Sequence, residues 1–135
     1  MTDISDKLQW IESGNYNLSN LQGVVLDINM KNGWFESDRS FGDDIALLHT
    51  EVSEAFEAYR YHGFVDATAV YTGHAAEFPE GNPPLKPEGV GSELADVLVR
   101  LLDTCERYDI DLEAEFVRKC KYNTTRGHRH GGKLV

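Results

Sequence analysis

The residues best suited to chemistry are four carboxylates in two pairs, Glu51-Val-Ser-Glu54 and Glu93-Leu-Ala-Asp96. On a helix, positions i and i+3 are neighbours on one face, with Cβ atoms roughly 5–6 Å apart. Each pair can therefore hold one cation. An all-oxygen ligand set suits a hard ion such as Mg2+, with Mn2+ able to substitute, because such ions take a few carboxylates and complete their shell with water and substrate phosphate. Zinc would draw on histidine or thiolate. Glu57, one turn beyond Glu54, lies further round the helix and reads as a supporting or solvated residue. Other patterns fail. None of the five histidines follows a Glu by three residues, as a ferritin-like di-iron site requires, and neither a Gly-x-x-x-x-Gly-Lys-Ser/Thr loop nor a Gly-x-Ser-x-Gly elbow is present. A Cys or Ser nucleophile stays open, but nothing positions one. Cys105 and Cys120 match no metal-binding spacing and read as small buried hydrophobes.

The elements that must carry these side chains are helices. Ile4, Leu8 and Ile11 suggest a short first helix; Leu18, Leu21, Val24, Val25 and Ile28 then repeat at helical spacing until Asn32-Gly33 supplies a stop. From Asp43 to about His62, the residues Ile45, Leu48, Val52, Ala55, Phe56 and Tyr59 fall at steps of three and four. Asp43 and Asp44 favour the positive end of the helix dipole, and Gly63 can close the helix. Residues 63–91 hold five glycines and four prolines and read as a long loop or lid, in which Val70-Tyr71 can form a short strand. Ser92 is a good cap for a helix with Leu94, Val97, Leu98, Leu101, Leu102, Cys105 and Tyr108 on one side. Asp111 can cap a last helix, with Leu112, Phe116, Val117 and Cys120 inward, ending near Asn123; residues 124–135 are tail. The expectation is one all-α domain over 1–135, an antiparallel helical bundle, with helices in 1–33.

Placing the carboxylates on these helices leaves two readings open. Acidic residues at helical spacing often form an ordinary wet surface. In the second pair, Asp96, Arg100, Asp103 and Arg107 line up as an alternating ion-pair ladder. Glu51 and Glu54, by contrast, flank a sector with Leu47 and Ala58, away from the main apolar stripe of Ile45, Val52 and Phe56. A helix buried on two sides would leave carboxylates that need a partner, and a divalent ion supplies one. On the last helix, Lys119 and Asn123 fall in line with Leu112 and Phe116, while Arg118 and Lys121 point away. An inward lysine invites an anion; the alternative is a snorkelling lysine and an asparagine that ends the helix.

Composition narrows the partners. With 135 residues, 41% hydrophobic and 27% charged, the chain is that of an ordinary folded domain. No apolar run approaches the roughly 18 to 20 residues of a membrane span, and the first residues lack the pattern of a signal peptide, so a cytoplasmic protein is expected. A net charge of −10 argues against general binding to nucleic acid or anionic lipid. Residues 118–135 hold six Lys and Arg and no Asp or Glu, which leaves seven basic against 23 acidic residues in 1–117. The tail either solvates a terminus or contacts an anion.

Taken in order, Glu51-x-x-Glu54, Glu93-x-x-Asp96 and Lys119-x-x-x-Asn123 resemble the MazG-like nucleotide pyrophosphohydrolases. Phe41-Gly-Asp-Asp-Ile-Ala-Leu-Leu-His-Thr-Glu-Val-Ser-Glu-Ala, Lys86-Pro-Glu-Gly-Val-Gly-Ser-Glu-Leu-Ala-Asp-Val-Leu and Asn123-Thr-Thr-Arg-Gly-His-Arg-His-Gly-Gly-Lys are also similar to that family, over about residues 32–133. The resemblance implies an all-α, Mg2+-dependent enzyme that cleaves a nucleoside triphosphate, ribo or deoxy, to monophosphate and pyrophosphate. It implies Glu51, Glu54, Glu93 and Asp96 as metal ligands, and Lys119 and Asn123 as contacts to phosphate or sugar. Glu54 would help deprotonate the attacking water, and Lys119 would neutralise charge on the phosphates. A homodimer or homotetramer is implied, in which Arg126 and Arg129 reach a neighbour's substrate. Trp34, Phe35 and Tyr71 can stack on a base, or simply pack. The rival from another class is a non-catalytic acidic helical interaction protein that docks through its basic tail.

Overall fold

The computed structural model describes residues 16–64, 71–72 and 85–127, with positions 4, 6, 9, 13 and 14 ahead of them. The chain is helical: α1 (Leu18–Lys31), α2 (Phe41–His62), α3 (Val90–Arg107) and α4 (Leu112–Thr124). A minimal antiparallel ladder joins β1 (Tyr71–Thr72) to β2 (Leu85–Lys86), with Tyr71 opposite Lys86 and Thr72 opposite Leu85. The short strand expected at Val70-Tyr71 is thus found one residue later. Of the first expected helix only Ile4, Asp6 and Gln9 are described, each helical; most of the 63–91 loop lies outside the described residues.

Local chemistry sets the helix ends. Asn17 caps α1 by accepting the Asn20 N–H at 2.8 Å, and Asn32 with the left-handed Gly33 closes it. Helix α2 begins at Phe41, two residues before the expected Asp43, because Ser40 and Asp43 form a reciprocal capping box. The Ser40 hydroxyl and backbone donors hold the Asp43 carboxyl below its ordinary range. Gly63 ends α2 as expected, its N–H donating to the Tyr59 carbonyl at 2.8 Å. Helix α3 starts at Val90, since the Glu93 N–H already donates to the Gly89 carbonyl; Ser92 therefore lies inside the first turn and is not the cap. Asp109, at φ +53°, turns the chain out of α3 while the Ile110 N–H returns to the Cys105 carbonyl, and Asp111 caps α4 through the Ala114 N–H at 2.9 Å.

The chain falls into two compact units, residues 1–36 with 105–135, and Ser37–Thr104. In the first, Val24, Val25 and Cys105 are buried, and Gln22 reaches the Glu106 carboxylate and the Ile110 carbonyl. Ser19 donates to Glu113 through both its N–H and its hydroxyl, tying α1 to α4. Arg107 stacks over Phe35 at 4.2 Å and donates to the Trp34 carbonyl. Helix α4 buries none of its residues. Phe116 and Val117, expected inward, are 58% and 44% exposed, and Cys120 is exposed. The groove toward α1 is lined by Glu113, Ala114, Val117 and Lys121, which leaves the Leu112–Phe116–Lys119–Asn123 stripe on another side.

In the second unit the buried apolar residues are Ala55 and Leu102, beside the buried polar residues Asp44, Glu51, Glu93, Asp103 and Thr104. A core this polar stands only if its charges are paired. Arg39 does this in one place: its Nε lies 3.2 Å from Asp44 and its Nη2 3.0 Å from Asp103, so one guanidinium clamps the start of α2 to α3. The arc of α2 with Asp44, Glu51 and Ala55 turns inward. Val52 and Phe56 of the expected apolar stripe are therefore 49% and 63% exposed, in line with the exposed Phe41 and Tyr59. No described helix is long and apolar enough to cross a membrane.

Candidate metal centre

The four acidic candidates lie on two helices of the second unit. Glu51 and Glu54 stand one turn apart on α2, and Glu93 and Asp96 one turn apart on the first half of α3. One carboxylate oxygen from each of Glu51, Glu54 and Glu93 lies within 4.8 Å of the other two. Glu51 and Glu93 are buried, while Glu54 is exposed and forms the solvent side of the cluster. Asp96 is half-buried beside it. Glu57 is exposed.

The electrostatics are those of a group short of positive charge. Burial raises the Glu93 carboxyl above its ordinary range, and the neighbouring Glu54 and Asp96 carboxylates push it further. Burial also raises Asp96, with Glu51 adding repulsion and the Lys86 and Arg100 cations opposing it. The only cation bonded to a member of the cluster among the described contacts is Arg100, whose Nε donates to Glu51 Oε1 at 2.9 Å. The Lys86 ammonium is 3.1 Å from Glu88. That bond, together with the negative charge of Glu88, Glu93 and Asp96, raises its pKa.

This donor set fits a hard divalent cation. Around Mg2+, oxygens at about 2.0–2.1 Å from the ion stand up to about 4.2 Å apart, so carboxylates already within 4.8 Å need only small side-chain adjustments to share one. Binding would also relieve the repulsion that raises Glu93 and Asp96.

The remaining candidates are distributed as follows. Lys119 and Asn123 lie on α4 and are exposed, so the inward stripe expected for them is not formed by the described residues of that unit. Arg126 sits with its guanidinium 5.3 Å from the centre of the Tyr122 ring. Arg129 lies outside the described residues. Phe35 is covered by Arg107, a packing role, and Trp34 is half exposed.

Three residues around the cluster escaped the sequence reading. Arg100 was assigned to a ladder along its own helix, yet it bonds Glu51 on α2, as Asp103 bonds Arg39; Arg107 likewise turns to Trp34 and Phe35. Lys86 and Glu88 had no assigned role. The signal available for them was a lone Lys-Pro-Glu directly before an acidic helix start. No family model, curated protein or solved structure matches this chain significantly.

Proposed function

We propose that this chain is a divalent-cation-dependent nucleoside triphosphate pyrophosphohydrolase of the MazG-like type, cleaving the α–β phosphoanhydride bond. The observation that carries the reading is the convergence of Glu51, Glu54 and Glu93 from two helices into a cluster with too little positive charge to balance it. Burying Glu51 and Glu93 beside a third carboxylate is costly unless a cation or a proton neutralises the charge, and a divalent ion would do so for all three.

In this reading Glu51, Glu54, Glu93 and Asp96 hold Mg2+ or Mn2+, which when bound supplies charge neutralisation at the phosphates and lowers the pKa of a water. The chain's own groups divide the remaining work. Arg100 fixes the Glu51 carboxylate in one orientation through its Nε bond. Glu54, the exposed member, accepts the proton of the attacking water. The water oxygen bonds to the α-phosphorus, the bond to the α–β bridging oxygen breaks, and pyrophosphate leaves with that electron pair. We assign Lys119 and Asn123, exposed donors on α4, to phosphate or sugar contact. Self-association into a dimer or tetramer is proposed through the α2 stripe of Phe41, Val52, Phe56 and Tyr59, all at least 45% exposed.

The deciding experiment is incubation with ribo- and deoxyribonucleoside triphosphates and Mg2+, scored for monophosphate and pyrophosphate. Release of both in equal amounts, abolished by chelator, is expected. No product from any nucleotide would leave the non-catalytic interaction protein as the better reading.

A further inference from the structure

Helix α1 ends on an asparagine followed by a glycine. Asn32 is the C-cap, exposed, at φ −86° and ψ 4°. Gly33 follows at φ +78°, a left-handed state that strains any residue with a Cβ, and a Cβ there would stand 3.4 Å from the Glu36 carboxyl carbon. The next two amides turn back on the helix: the Gly33 N–H donates to the Met30 carbonyl at 3.2 Å and the Trp34 N–H to the Asn29 carbonyl at 3.0 Å. This is a Schellman turn, which requires glycine at position 33 and satisfies two of the last carbonyls of α1.

The pair of residues that makes this turn is also chemically labile. The side-chain amide of an asparagine is open to attack by the backbone nitrogen of the next residue, and glycine, having no side chain, hinders that attack least. Of the seven asparagines in the chain, Asn32 alone precedes glycine; the others precede Tyr, Leu, Leu, Met, Pro and Thr. In the attack the Gly33 nitrogen loses its proton to solvent base and bonds to Asn32 Cγ, the Cγ–Nδ2 bond breaks, and Nδ2 takes up a proton and leaves as ammonia. Water then opens the succinimide ring. Addition at Cγ gives aspartate in a normal backbone, and addition at the Asn32 backbone carbonyl carbon gives isoaspartate, with the chain running through Cγ.

The folded turn opposes the first step. A Gly33 N–H bonded to Met30 holds its nitrogen in the cap, so the cap must open before that nitrogen can be deprotonated and turned onto Cγ.

We propose that Asn32-Gly33 is a modification site of this chain, at which the amide is converted through a succinimide to aspartate and isoaspartate at a rate set by opening of the α1 cap. The product weakens the cap that restrained it. Either new carboxylate stands at the negative end of the α1 dipole. Isoaspartate also adds a methylene to the backbone directly before Gly33, which displaces the donors that reach Met30 and Asn29. The reaction needs water alone and is independent of what the acidic cluster binds.

The test incubates the full-length chain at mildly alkaline pH in water enriched in heavy oxygen, both folded and in urea, with peptide mapping by mass spectrometry. Conversion is expected at residue 32 ahead of the six other asparagines, with heavy oxygen incorporated and both aspartate and isoaspartate separated by chromatography. Because the cap must open first, the folded chain should convert about tenfold or more slowly than the unfolded one. Asn32→Gln, whose side chain would have to close a six-membered ring, should show little conversion over the same time. In the aged parent the Gly33 and Trp34 amides should exchange with solvent faster than in the fresh protein. Residue 32 converting no faster than the other asparagines in urea overturns the site. Equal rates in the folded and unfolded chain overturn the control by the cap, and unchanged amide exchange after conversion overturns the weakening of it.

Discussion

Two charged groups tie α2 to α3 within the Ser37–Thr104 unit, and they differ in how their charge is balanced. In the clamp, the Arg39 guanidinium lies within 3.2 Å of both Asp44 and Asp103, all three nearly buried. In the acidic cluster, Glu51, Glu54 and Glu93 converge, and Arg100 bonds Glu51 at 2.9 Å. The first is a closed structural joint whose carboxylates have their partner. The second includes Glu93 and Asp96, whose pKa values are raised by burial and by the neighbouring carboxylates. Carboxylates buried at a helix–helix contact thus form a closed joint where one guanidinium meets both of them, and hold acidic charge in excess where one guanidinium stands against several.

That contrast can be broken by substitution. The largest effect is expected from Glu54→Ala or Asp96→Ala: turnover of the best nucleotide should fall by about a thousandfold or more, roughly 4 kcal/mol in the barrier, with the helical circular dichroism unchanged. Retained activity in either variant would remove that residue from the site. On the clamp side, Arg39→Ala leaves two buried carboxylates without their guanidinium and should cost about 3–5 kcal/mol in denaturant unfolding. Near the parent's midpoint for unfolding the variant would be largely unfolded. Below it, Mn2+ affinity should survive, which would separate joint from site.

Smaller effects sharpen the same contrast. Saturating Mn2+, at a hundredfold over its dissociation constant, should stabilise the parent by about 2.7 kcal/mol in chemical unfolding. The gain should be largely absent in Glu93→Gln, and chelator should reverse it. The smallest effect is on pH. Because Glu93 and Asp96 are raised in the folded state, the native protein binds more protons than the unfolded chain above the ordinary carboxyl range. Their contribution therefore lowers stability as pH rises through that window. Chemical unfolding of the metal-free protein at stepped pH should show that decline, and Glu93→Gln should flatten it. A steeper slope in the variant would contradict the repulsion described here.

How far these features were legible in the sequence depends on their range. The helical segments, the Asn32-Gly33 stop, the Gly63 end and the Asp111 cap are readable because each depends on residues a turn or less apart. The Ser40–Asp43 box was equally local, and its pattern can be read in Ser-x-x-Asp, although the helix was expected to start two residues later. The α3 start differs because Ser92 is a fitting cap residue, yet Gly89 three residues earlier already provides the turn. Val52 and Phe56 mark the limit of periodicity: it identifies an apolar stripe on α2, but α2 turns the arc with Asp44, Glu51 and Ala55 inward, where Arg39 and Arg100 answer the acids.

By itself, the sequence determined that the chain is helical and that two carboxylate pairs sit on single helix faces, since a helix turn and its caps are settled by neighbours along the chain. Which carboxylates meet was decided only by tertiary structure. Glu51 and Glu93 are forty-two positions apart, and only the packing of α2 on α3 brings their oxygens within 4.8 Å. The same packing directs Arg39 to Asp103 and Arg100 to Glu51, away from a ladder along one helix. Charge compensation is a property of distance in space, and spacing along a single helix does not encode it.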